Sequence, residues 1–174
     1  MKNEVLSAIE DRRSIRSYTP VQVTDEQLEA LKNAAVQAPS AVNRQPYHFT
    51  FVRSKEILDD FRADARKATG DESDMLRGAP MVCFIFADRQ NQWGHVDSGI
   101  ATENLALAAH SMGLGSVILG MPRFVFNNET MAEKWEKILL CPENMSFCIA
   151  IAIGNPAAGK GPHPVREGLI DVLD

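Results

Sequence analysis

Cysteine is scarce in this 174-residue chain: Cys83, Cys141 and Cys148 are all there is. An odd number without paired spacing describes no disulfide framework. Cys83 and Cys148 sit in apolar runs, where cysteine serves as a small hydrophobe, and Cys141 precedes Pro142 in a loop. Nothing basic flanks any of them to activate a thiolate. The expectation is three reduced, structural thiols in a cytoplasmic protein. Long apolar runs are missing too. None approaches the roughly 18 residues of a membrane span, and Met1-Lys2-Asn3-Glu4 opens a polar, helix-like segment with no signal-peptide core. Basic excess is absent: the net charge of −5 argues against a nucleic-acid footprint. The histidines His48, His95, His110 and His163 form no His-x-x-x-His, and no Cys-x-x-Cys accompanies them, so zinc has no ligand set. There is no G-x-x-x-x-G-K-[ST] for a nucleotide phosphate, no Gly-x-Ser-x-Gly nucleophile elbow and no 20–50-residue repeat.

What is present suits one soluble domain over residues 1–174: 45% hydrophobic and 24% charged residues in about one domain length. Residues 3–13 read as an amphipathic helix with Val5, Leu6 and Ile9 on one side. Thr24-Asp25-Glu26-Gln27 is a capping box. The helix it opens buries Leu28, Leu31, Ala35 and Ala38, and Pro39 stops it. His48–Val52 reads as a strand, and Ser54 caps a helix carrying Ile57, Leu58, Phe61 and Ala65. Met81–Ala87 is uniformly apolar, the pattern of a strand covered on both faces. Asp97–Met112 is Ala- and Leu-rich around most of its circumference, the mark of a central buried helix, and Gly113 stands at its left-handed stop. Val117–Leu119 and Phe147–Ile153 are further strands, with a short helix (Met131, Trp135, Ile138) between them. Loose alternation with long helices favours an α+β layered domain.

Three segments could carry chemistry. Arg12, Arg13, Ser14 and Arg16 cluster in an acidic chain. Arg12, Ser14 and Arg16 share a face if extended, and Arg12 and Arg16 share one if helical. Converging guanidinium groups suit a phosphate; a solvated basic helix end fits the same residues. The loop Ala38–Pro46 sets Ser40, Asn43 and Gln45 between Pro39 and Pro46. It could hydrogen-bond a planar heterocycle or be an ordinary turn. Gly113-Leu114-Gly115 is no dinucleotide fingerprint, because it closes a helix and enters a strand; at the strand's end, Leu119-Gly120 lets a ligand approach the backbone. Trp93, Phe124 and Phe126 could line a pocket or belong to core and dimer contacts.

Taken in order, Arg12–Tyr18, Ala38–Tyr47, Gly78-Ala79-Pro80, Asp97–Ala101 leading to Gly113-Leu114-Gly115, and Gly154-Asn155-Pro156 with Arg166 resemble the nitroreductase family of FMN-dependent oxidoreductases. The resemblance spans residues 4–170. It implies a layered α+β fold with a central, mostly antiparallel sheet flanked by helices, in an intertwined homodimer with FMN at the interface. It implies that Arg12 faces the FMN phosphate and Arg16 the pyrimidine edge, with Arg13 and Ser14 in the same segment. Pro39, Ser40, Ala41, Asn43 and Gln45 would come from the opposite subunit, Leu119 and Gly120 would approach flavin N5, and Arg166, with Lys160, would add phosphate contacts. NADH or NADPH would be the hydride donor and a small nitroaromatic or quinone-type molecule the acceptor, in a ping-pong cycle without a protein nucleophile. The alternative is a flavin-binding or specialised member, dehalogenase-like or flavin-fragmenting. Two positions depart from the pattern. Tyr47 stands where Trp is common, and Asp71-Glu72-Ser73-Asp74 occupies the region where many members carry an Asn that contacts the flavin.

Overall fold

The structure, a computed structural model, describes residues 3–173, so Met1 and Lys2 of the polar opening lie outside the described residues. Four strands, β1 (Tyr47–Val52), β2 (Met81–Asp88), β3 (Gly115–Leu119) and β4 (Met145–Gly154), form one antiparallel sheet in the order β1-β2-β4-β3. Alternation along β2 divides the core. Met81, Cys83 and Ile85 point to one face, where α2 (Asp25–Val36) and α4 (Gly94–Ser111) bury Leu31, Leu105 and Ala109 with them. Val82, Phe84 and Phe86 point to the other, against Phe61 of α3 (Lys55–Thr69) and Trp135 of α6 (Glu129–Ile138). The fold is therefore an α+β sandwich around an antiparallel sheet. No helix among the described residues is long and apolar enough to cross a membrane.

Local signals place most elements. The Thr24–Gln27 capping box is formed in both directions, and Ser54 caps α3. Helix α2 ends at Val36, before Pro39, and leaves Ala38 buried beyond it. The first helix, α1 (Glu4–Asp11), is shorter than the amphipathic pattern, because Arg12 turns extended at φ −56°, ψ 133°. Helix α4 starts three residues before Asp97. Gly94 opens it because a side chain there would press on the Asp88 carbonyl, 3.1 Å from the Cβ position. One side of α4 is not buried: Val96 and Ile100 are exposed. A four-residue helix, α5 (Arg123–Phe126), completes the set and had no periodic signal. The three cysteines are free; burial pushes the Cys83 thiol well up and, with Glu136 nearby, Cys141 to about 11.

One polar cluster pins α3 to α6. Asp64, almost fully buried, accepts hydrogen bonds from Lys134 Nζ (2.6 Å), Lys67 Nζ (3.0 Å) and Trp135 Nε1 (3.1 Å). Burial alone would raise its carboxyl, but these donors outweigh burial and hold it below its usual value. A depressed carboxylate stabilises the fold above its unfolded pKa, about 3.9, and that contribution is lost as pH falls through the lower folded value. Asp64→Ala is expected to cost about 2–3 kcal/mol, since the buried indole N–H loses its acceptor. That corresponds to a Tm lower by about 4–12 °C. Thermal melts from about pH 5 down to 2 should fall more steeply for wild type than for the variant; parallel curves would show that the cluster carries no such linkage.

Candidate functional site

The arginine segment leaves the helix at Arg12, which is extended at φ −56°, ψ 133°, so the helical alternative, with Arg12 and Arg16 on one helix face, is not the one formed. It is strapped to the start of β3: Ser14 bridges Ser116, and Ile15 N donates to Ser116 O at 2.8 Å. The Ile15 side chain fills the space beside Gly115, 2.8 Å from where a Cβ would stand. Tyr18 ties the strap to the sheet by donating from its hydroxyl to Ile15 O (2.7 Å), with Ala152 O at 3.3 Å. Beyond β4 the chain returns alongside it, with Thr19 N donating to Asn155 O (2.8 Å) and Ala157 N to Ser17 O (3.0 Å). This pairing carries Ala158, Gly159 and Lys160 to the arginines.

Between strap and returning chain lies a groove of about 440 Å³ lined by Asp11, Arg12, Arg13, His110, Gly115 and Lys160 among others. A second hollow of about 270 Å³ adjoins it between Ser14–Ser17 and Ala158–Lys160. The cations differ in commitment. Arg12 Nε pairs with Glu103 at 3.3 Å. Arg13 is spent on the Glu10, Arg12 and Gly161 carbonyls, which makes it an anchor of the strap. Arg16 reaches only Ser14 O, at 3.3 Å, and lies exposed. Lys160 lines both hollows, whereas Arg166, farther along an exposed tail, lines neither.

The Pro39–Gln45 loop is a built structure. Gln45 N donates to Ser40 Oγ (3.0 Å), Gln45 Nε2 to Asn43 Oδ1 (2.9 Å), and Tyr47 Oη to Ala38 O (3.1 Å). Val42, Asn43 and Gln45 sit at φ 46°, 56° and 49°. Asn tolerates that region; a β-branched residue there is strained. Ala41 N donates to Asp97 Oδ2 at 3.2 Å, so the loop hangs on the first turn of α4. The arginine strap meets α4 at Glu103 and in the groove beside His110. At 1.5 Å per residue those points lie about 9 and 20 Å along the helix from Asp97. Leu119 and Gly120 end β3, about 10 Å along the strand from Ser116, and the space where Gly120 lacks a side chain is open.

Residues 9–155 match the model of the Nitroreductase family. The chain belongs to that family. It is 35% identical over 163 residues to an Archaeoglobus fulgidus protein with the provisional name NADH dehydrogenase/NAD(P)H nitroreductase, covering 90% of this chain and 88% of that one. A Methanothermobacter thermautotrophicus protein of the same name is 33% identical over 165 residues, 92% of this chain and 81% of that one. A crystal structure of a nitroreductase with bound FMN from Desulfitobacterium hafniense superimposes with a TM-score of 0.94 at 30% identity, covering 100% of both chains.

Two further features of this nitroreductase-family chain lie outside the groove. The Asp71–Asp74 carboxylates serve their own turn: Asp74 accepts from Arg62 Nε, Leu76 N and Gly78 N, and Asp71 from Ser73. The other feature had only a partial signal. Trp93 lines a cleft of about 360 Å³ with Ala41, Val42, Arg44 and the amides of Gln90, Asn91 and Gln92. Phe126, grouped with Trp93 by sequence, instead stacks on Phe147 at 4.4 Å inside the core satellite.

Gly115→Ala tests whether the strap depends on close packing. A methyl group 2.8 Å from Ile15 must displace it, at a cost of about 1–3 kcal/mol. Hydrogen exchange at the Ile15 amide is expected to accelerate more than at β2; uniform acceleration would mean that the strap has no special dependence on Gly115.

Proposed function

We propose that the chain is an FMN-dependent NAD(P)H oxidoreductase that works as an intertwined homodimer, with a small electrophilic acceptor of nitroaromatic or quinone type. The observation that carries the reading is the cationic groove between strap and returning chain, in a member of a family with an FMN-bound structural neighbour. The donor set fits the cofactor. A phosphate of nearly two negative charges asks for several permanent cations and charge-assisted donors, and Arg12 and Lys160 supply them across a glycine-lined groove. Arg166 would join them from the tail. Arg16, with no carboxylate partner among the described residues, would take the pyrimidine edge, with Ser14 beside it and Arg13 holding the strap. Leu119 and Gly120 would offer backbone N–H groups toward N5. Bound FMN supplies hydride transfer from NADH or NADPH to the acceptor.

The same geometry supports a second subunit. Pro39, Ser40, Ala41, Asn43 and Gln45 hang on one end of α4, and Arg12 and the groove sit farther down it, which favours drawing the two groups from different chains. A partner chain would complete the site. Apolar surface supports that reading: Val5 and Ile9 on α1, Val96 and Ile100 on α4, and Leu169, Ile170 and Leu173 of the tail are all exposed. Ser40 and Asn43 would then orient the ring from across the interface. Donor and acceptor would take turns in one place above it, a ping-pong order, since hydride passes only at near-contact distance.

The arginines separate in experiment. Arg12→Gln is expected chiefly to weaken FMN retention, because the phosphate is charged in every redox state. Arg16→Gln is expected to slow reduction by NAD(P)H by about 2–4 kcal/mol in the barrier, the size of one lost stabilising donor. Stopped-flow reduction of FMN-reconstituted variants measures both; equal FMN loss with wild-type reduction rates would remove Arg16 from the ring. Ser40→Ala with Asn43→Ala should weaken FMN binding while light scattering still reports a dimer. A flavin-loaded monomer, or a colourless protein that ignores added FMN, would end the proposal.

A further inference from the structure

The cleft at Arg44 and Trp93 is unused by the roles assigned so far. One wall is the loop that the proposed function turns toward the flavin, through Ala41 and Val42. The other is the turn that enters α4. Both walls are set before any ligand arrives. Ala41 N is held by Asp97 Oδ2 (3.2 Å) and Arg44 N by Ala41 O (3.1 Å). Across the cleft, Gln90 N donates to Asp88 Oδ1 (2.9 Å), Trp93 N to Asn91 Oδ1 (2.9 Å) and Gly94 N to Asn91 O (2.9 Å).

The lining is selective in what it offers. Trp93 is 49% exposed and presents an indole to the cleft. Three carboxamides supply neutral donors and acceptors, and no carboxylate lines the space. Arg12, Arg53, Arg62, Arg66 and Arg89 are each paired with an acid. Arg44 is exposed, and among the described residues its guanidinium, like those of Arg77 and Arg123, has neither ion pair nor hydrogen bond; no acid lines the cleft to repel an anion. A planar fork of donors suits a carboxylate bidentately, and an indole suits the face of a ring. The volume, about 360 Å³, lies at the small end of ligand pockets; it fits one substituted ring and is too small for a whole dinucleotide.

We propose that this cleft is the part of the shared place above the flavin that holds the electron acceptor, and that Arg44 selects acceptors carrying a carboxylate on an aromatic ring. The proposal rests on the oxidoreductase reading, because it is that reading which brings the 40–43 loop to the flavin. Arg44 is a specificity determinant here and takes no part in hydride transfer.

The test uses the purified FMN-loaded protein with 4-nitrobenzoate and its uncharged analogue 4-nitrobenzamide. Calorimetric titration gives affinity without turnover, and kcat/KM is measured with each acceptor at fixed NADPH. Wild type is expected to favour the carboxylate by about tenfold or more, the worth of a charged hydrogen-bonded pair. Arg44→Gln should remove that preference in both measurements, Arg44→Lys should restore part of it, and Trp93→Leu should weaken both acceptors alike. No preference in wild type, or equal losses on the two acceptors in Arg44→Gln, overturns the proposal. So does an Arg44→Gln defect confined to the KM for NADPH and absent with NADH, which would assign the cleft to the donor's phosphate. A protein that neither retains FMN nor oxidises NAD(P)H fails the oxidoreductase reading instead. Calorimetry then decides the cleft alone: a carboxylate preference lost in Arg44→Gln upholds it, and its absence overturns it.

Discussion

Helix α4 holds apart two groups of residues that are both rich in ligand chemistry. Its Ala101, Leu105, Ala106 and Ala109 are locked against the sheet, so its direction is fixed by the same packing that forms the core. Asp97 in its first turn anchors the Ser40 loop, and Glu103, two turns on, takes Arg12. An 18-residue helix is about 27 Å long and does not fold back on itself. The proposed pairing of subunits draws on that packing. The packing that stabilises one chain also spaces these two groups along one helix, whose Val96 and Ile100 are exposed.

The arginines are positioned by backbone pairing and by missing side chains. Ile15 can lie against β3 only because Gly115 has no Cβ, and the end of β4 meets the same condition. There, a Cβ on Gly154 would stand 2.6 Å from Pro80 and 3.1 Å from the Tyr18 ring. Once strap and returning chain are paired, Lys160 lines one hollow with Arg12 and the adjoining one with Arg16, with Asp11 in the first and Glu103 paired to Arg12. Gathering like charges is unfavourable, and hydrogen bonds at Ile15, Thr19 and Ala157 hold the backbone against it. A bound dianion would relieve that repulsion, which is why such a groove retains an anionic ligand better than scattered lysines would.

Legibility in the sequence followed the range of the interaction. The capping box at Thr24 and the uniform apolar run of β2 are local, and each was readable. The layered α+β class followed from the loose order of helices and strands, and the family from the order of its motifs. The first turn of α4 was not readable, because Gly94 and Trp93 are poor helix signals and the glycine is set by close approach to Asp88, six residues earlier. The relative standing of Lys160 and Arg166 was not readable either. It depends on residues 155–157 pairing with 17–19, a register between segments more than a hundred residues apart. The Arg44–Trp93 cleft likewise joins two turns that are distant in sequence and share no periodicity.

The Val42 loop shows why a short chain can still define a site closely. Holding a β-branched residue in the left-handed region costs on the order of 1–3 kcal/mol, and Val42 is also 85% exposed, so burial does not offset the strain. The offset comes from around it: Ser40 Oγ, the Asn43–Gln45 pair, Asp97 and the Tyr47 hydroxyl each fix one point of the loop. Tyr47 is central to this. It is buried under the loop, burial raises its hydroxyl above the usual value, and Ala38 O accepts the proton it keeps. A loop so constrained loses little further entropy when a ring lies against it. With no inserted lid needed to order the site, selectivity falls to side chains already in place on its two walls, and of these Arg44 is the one whose charge is unspent.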